Sequence, residues 1–202
     1  MNNPSDLTPF ASILHWFSLA SEEDKLAGVT WYSEANLFAQ YLASQYKLDV
    51  ITTAHLIAVF SPQLGWGENQ RRVEKFIVVY QHKGNIYKSG LGFHANIRKA
   101  VEIIKGNLDA LSGQKVTAFA HCIFKNGLTE RVCVDRHAKR IANFYTENTP
   151  SAKQYLALEA VFQLATLEIN RQLHTHYTPA QVQAITWVAY RRINNLSFEY
   201  DK

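Results

Sequence analysis

Cysteine is scarce in this chain of 202 residues, with Cys122 and Cys133 the only two. Both sit in apolar surroundings, so no disulfide framework is available and a reducing compartment is expected. Proline (5) and glycine (9) are also sparse, which leaves long stretches of uninterrupted helical periodicity and an all-α reading. Charged residues make up only 19% of the chain against 47% hydrophobic ones, a globular rather than a disordered composition. No apolar run reaches the roughly 20 residues needed to span a bilayer. The first residues lack the basic-then-apolar order of a signal peptide, so a cytoplasmic protein is expected, nucleoid-associated in a bacterium. The length allows one large domain or two lobes sharing a core. What charge there is leans basic, with a net +4 and a pI near 9.0, which points to a polyanionic partner.

The stretch 111–142 organises the rest. Ser112-Gly113-Gln114 is a short polar turn between apolar helical patterns, with Gly113 supplying the backbone freedom of a tight hairpin. Lys115 opens the next helix, whose apolar positions Val116, Phe119, Ala120 and Ile123 recur at helical spacing. That helix ends near Asn126-Gly127. Val132-Cys133-Val134 then leads to Asp135, a favoured N-cap for a helix with Ala138, Ile141 and Ala142 on its apolar face. On residue type alone, Lys115 is a solvated lysine and Asp135 a cap.

Upstream, the periodicity predicts helices over 4–20 and 31–46, with a further short one capped by Ser21-Glu22-Glu23-Asp24 between them. Thr52 is the expected N-cap of an apolar helix that stops at Ser61-Pro62. The loop 61–69 is rich in glycine, amide and indole groups, among them Gln63, Trp66 and Asn69, and Arg71, Arg72 and Lys75 follow on the next helix. The segment 90–100, GLGFHANIRKA, opens a helix reaching Ile104, and 108–111 is a short helix before the hairpin. Downstream, Ser151 begins a long helix over 152–173, and Thr178-Pro179 begins the last one. His174 and His176 have no Cys or carboxylate cluster at ligand spacing, so no metal is expected.

The order hairpin, Gly113, Lys115, apolar helix, then Val-Asp-x-His-x-x-Arg-Ile resembles the helix-hairpin-helix DNA glycosylase superfamily, which includes endonuclease III and the 8-oxoguanine glycosylases. The resemblance runs over roughly 52–144. It implies that Lys115 is the nucleophile and Asp135 its assistant. It also places 60–63, Phe-Ser-Pro-Gln, where a side chain fills the space left by a flipped nucleotide, which makes Gln63 the wedge. Trp66 either stacks on a base or packs beneath the loop. Asn69, Arg71, Arg72, Gly113, Gln114 and His137 complete the expected DNA contacts, His137 holding either a phosphate or Asp135, or making a structural bond at the lobe junction. Gln183 and Trp187, one helical turn apart, match the amide and aromatic that related enzymes offer to the extruded base, or are simply core and rim. The hairpin departs from the family in having one glycine where Gly-x-Gly is usual. The four clustered cysteines of endonuclease III are absent, so no iron–sulfur cluster and no other cofactor is expected.

The implied fold is a two-lobed helical bundle. One lobe is 49–134 with the hairpin, the other is built from 1–48 and 135–202, and the site lies in the cleft between them. The implied activity is base excision from double-stranded DNA by a monomeric DNA glycosylase with AP-lyase activity. Lys115, once deprotonated, attacks C1′ to form a Schiff base, with Asp135 as proton acceptor. The alternative is a helix-hairpin-helix module that binds nucleic acid without catalysis. The target base, and DNA against RNA, stay open.

Overall fold

The computed structural model describes residues 6–146 and 149–196. Among them the chain is helical throughout, with nine α-helices and no strand: α1 Pro9–Ser18, α2 Glu22–Tyr46, α3 Val50–Phe60, α4 Trp66–Gln81, α5 His94–Ile104, α6 Gln114–Phe124, α7 Arg136–Ile141, α8 Ala152–Leu173 and α9 Pro179–Ile193. A single 3₁₀ turn, Leu108–Ala110, precedes α6. None of the described helices is long and apolar enough to cross a membrane.

The chain divides into two compact units. One is built from both chain ends, Met1–Ala35 and His121–Leu196; the other centres on Asn36–Ala120. The boundaries fall inside α2 and α6. In the end-built unit α1, α7 and α8 pack around α9, which is buried on nearly every side from Pro179 to Arg191. In the other, α4 and α5 pack on α3, whose residues Thr52, Thr53, Ala54 and Leu56 through Phe60 are buried. A helix apolar all round belongs at the centre of its unit.

Three local expectations change. The short helix at 21–24 and the helix at 31–46 are one element, α2, because Gly28 does not break it. A Cβ on Gly28 would run into the Ile185 backbone of α9, so the glycine marks a close helix crossing inside a continuous helix. The cap of α3 is Asp49, whose Oδ1 accepts the Thr52 N–H at 2.7 Å; Thr52 lies inside the first turn. The first helix starts at Pro9 with Thr8 as its cap, and residue 4, its expected start, lies outside the described residues.

Candidate functional site

Lys115 owes its place to the turn before it. The 3₁₀ turn Leu108–Ala110 is anchored by Leu111, which is buried, and Ser112 to Lys115 are all exposed. Gly113 has φ +106°, a conformation that side chains rarely adopt, and α6 begins one residue later. Lys99 Nζ from α5 donates to Ser112 Oγ at 2.7 Å, tying the turn to the neighbouring helix. Lys115 is the second residue of α6, at the end where free backbone N–H groups favour anions.

The segment bearing this lysine is basic. Residues 36–120 hold ten Lys and Arg against five Asp and Glu, while 1–35 and 121–196 together hold ten of each. The basic character of the chain thus lies in the hairpin unit.

The loop before α4 lies in the same unit. Ser61 O accepts the Leu64 N–H at 3.2 Å, with Pro62 second in the turn and Gln63 third at φ +65°. This is the residue order of a type II turn, where Gly or Asn is usual at the third place. The other six non-glycine residues with positive φ (Lys47, Lys83, Asn126, Asn143, His174 and Asn195) lie one or two residues past the end of a helix. Gln63 is the exception: it is exposed and held in a costly backbone conformation. Trp66, first in α4, is half-buried with its ring edge-on to Phe38 at 5.9 Å, which fits packing beneath the loop. Asn69 is 2% exposed, and its Nδ2 donates to Ile57 O at 3.0 Å; it joins α4 to α3 and does not face solvent. Glu68 receives Arg71 Nε at 3.2 Å and Arg72 Nη2 at 3.1 Å. Chiefly through the Arg72 bond, its carboxyl stays below its ordinary value. Arg72 also runs against the loop before α5: a Cβ on Gly92, φ +97°, would lie 2.5 Å from Arg72 Nη1.

In the end-built unit, Asp135 caps α7 as expected, its Oδ1 accepting the Ala138 N–H at 2.7 Å. Before it the chain forms neither helix nor strand, and side chains of α8 hold its backbone. Tyr155 Oη donates to Val132 O at 2.7 Å and accepts the Val134 N–H at 3.0 Å. Glu159 Oε1 accepts from Val132 N–H and from Arg131 Nε, both at 2.8 Å. Burial pushes the Tyr155 phenol far above its usual range, so it remains a neutral donor and acceptor.

Gln183 is buried, its Oε1 accepting from Tyr32 Oη at 2.9 Å. Burial first, then the nearby Cys122, Cys133 and Asp135, raise the Tyr32 phenol well above its ordinary value. Burial likewise pushes the Cys122 thiol up to about 12, the mark of an inert structural thiol. Trp187 is half-buried, with Arg191 Cζ 4.9 Å from its ring centroid and the Trp31 ring at 6.0 Å. His137 is 2% exposed and its ring packs 5.7 Å from Tyr190; this is a core position, and solvent does not reach the ring. Sequence reading passed over Tyr32, Tyr155 and Glu159. The polar residues Tyr155, Glu159 and Gln163 at steps of four along an apolar helix were the available signal.

One family corresponds to this architecture over nearly its whole length. The family described as "Family of unknown function (DUF7178)" matches residues 3–194. The chain belongs to this family. No curated protein and no solved structure matches it. The DUF7178 family carries no assigned activity, so any function for the chain rests on its own residues.

Proposed function

We propose that the protein is a DNA glycosylase with AP-lyase activity, with a helix-hairpin-helix arrangement at 108–124. The observation that carries this reading is the setting of Lys115. It is exposed, two residues past a left-handed glycine, at the positive end of an 11-residue helix, within the basic segment of the chain. The order of motifs that follows, ending in Asp135 as the cap of α7, supports it.

In this reading Lys115 Nζ, deprotonated, bonds to C1′ of the target nucleotide as the N-glycosidic bond breaks and the base leaves with the bond's electron pair. Asp135 stabilises the positive charge developing on the sugar and takes a proton from the attacking amine. Its Oδ1 serves the cap, so Oδ2 is the oxygen for this task. The nitrogen lone pair then expels O4′, which takes the proton held by Asp135, so the sugar ring opens to a Schiff base. This acidifies the C2′ hydrogens, and β-elimination breaks the C3′–O bond with the phosphate as leaving group. Exposed basic side chains, among them Arg71 and Arg98, contact phosphates, and Gln63 stands in for the extruded nucleotide. Extrusion costs a few kcal/mol, which those contacts offset.

A duplex carrying one abasic site tests the reading by strand scission. Cleavage by the parent protein, lost in Lys115→Gln, is the expected result. Binding without cleavage, equal in both proteins, instead favours a nucleic-acid-binding module.

A further inference from the structure

Backbone groups in an irregular segment need partners, and in a helical protein no strand supplies them. Between α6 and α7 residues 131–135 form neither helix nor strand, and Asp135 N–H donates to Cys133 O at 3.0 Å. It meets three residues of α8 spaced one helical turn apart. Gln163 Nε2 donates to Glu130 O at 3.0 Å, Glu159 takes Val132 N–H with Arg131 Nε, and Tyr155 holds both Val132 O and Val134 N–H. The two elements run antiparallel, so the ladder ends at Tyr155, one residue short of Asp135.

We propose that Tyr155 and Glu159 are positioning residues for Asp135, acting through the backbone of 131–134. This rests on the role given to Asp135 above. The cap bond fixes Asp135 to α7 alone. The Tyr155 bonds fix the preceding residue to α8, and constraints from two elements leave the carboxylate little freedom. Tyr155 is 3% and Glu159 5% exposed, so water does not compete for these bonds. A mere filler of this space needs no hydroxyl: a phenylalanine ring occupies the same volume and leaves Val132 O and Val134 N–H without their partner. Glu159 adds a second fixed point two residues earlier, and its charge is matched by Arg131.

The test uses a duplex with one abasic site, borohydride to capture the Schiff base, and saturating protein, with Kd measured separately. Tyr155→Phe should lower the single-turnover trapping rate roughly 10- to 100-fold, the scale of a small misplacement of a reacting group, with Kd unchanged within about twofold. Its Val134 amide, which loses its acceptor, should also exchange with solvent faster. Gln163→Ala, at the end of the ladder farthest from Asp135, should slow trapping less than about threefold. Phe162→Leu loosens the same helix without removing a hydrogen bond to 131–134 and should leave the rate unchanged at a temperature where every variant is folded. In an Asp135→Asn background Tyr155→Phe should add nothing, since both act through one carboxylate. A parental rate in Tyr155→Phe, or its full effect persisting on top of Asp135→Asn, overturns the inference while the parent still traps. A parent that forms no adduct overturns the proposed activity instead, and this inference with it.

Discussion

Each unit is built around one helix buried on nearly every side, α3 within Asn36–Ala120 and α9 in the unit from the chain ends. Beyond that plan they differ. Residues 36–120 of the α3 unit hold seven of the nine glycines and an excess of five positive charges. Its turns at Gln63, Gly92 and Gly113 sit in left-handed conformations. The α9 unit has balanced charge and internal polar order: Tyr32 with Gln183, Tyr155 and Glu159 with the 131–134 backbone, Arg192 with Asp24. A surface of tight turns and positive charge suits a polyanion, while buried hydrogen bonds suit the exact placement of a carboxylate. The difference separates binding from positioning, and it can be broken experimentally from either side.

The largest effect is expected at Asp135. Asn caps a helix as well as Asp, so Asp135→Asn should keep its stability and yet slow Schiff-base formation by roughly 10²–10⁴. Equal rates would reduce Asp135 to a cap. On the binding side, about four to six phosphate contacts predict a log–log salt slope on the order of −4 to −5 for duplex DNA, measured by fluorescence anisotropy. Neutralising Arg98 or Arg71 should make the slope shallower by about one. A flat slope removes the contrast in charge as a functional feature.

Gly28→Ala tests the packing of the α9 unit. Alanine inside a helix normally adds up to about 1 kcal/mol, but here the new methyl meets the Ile185 backbone. A loss of about 1–3 kcal/mol is expected, read as a fall of roughly 2–4 °C per kcal/mol in Tm. A rise in Tm contradicts the close crossing. Gln63→Gly should do the reverse in the α3 unit. It relieves a left-handed glutamine, leaving Tm unchanged or higher, while weakening binding to an abasic duplex more than to an intact one.

The smallest effect is one of pH. Burial raises the Asp24 carboxyl, but the hydrogen bonds from Arg192 and then Ser21 outweigh it and hold the group below its ordinary value. A depressed carboxyl stabilises the fold above its unfolded pKa, near 4, and that contribution fades as pH falls through the lower folded value. Arg192 is half exposed, so the gain is modest. Asp24→Asn should therefore flatten the loss of stability below about pH 4, measured by thermal melts across pH 2–7.

Much of this architecture was legible in the sequence because it depends on local chemistry. Ser151 and Thr178 announce α8 and α9 through their caps, Asp135 announces α7, and Gly113 announces the turn before Lys115. What was not legible depends on packing. Gly28 gives no sign of a close helix crossing until α9 is seen packed against it. Asn69 and Gln183 read as amides for a ligand, since type and spacing do not say whether an amide meets a base or a neighbouring carbonyl or phenol. Tyr155 and Glu159 lie in a run whose periodicity reports helix, and only the irregular segment 131–134 beside them explains why they are polar.

The most direct measurement is the covalent one. The protein is incubated with abasic-site duplex and borohydride, and the adduct is digested and mapped by mass spectrometry. The account predicts a single modified peptide with the sugar on Lys115, absent from Lys115→Gln although that variant still binds the duplex. An adduct on any other amine, or none in the parent protein, contradicts it.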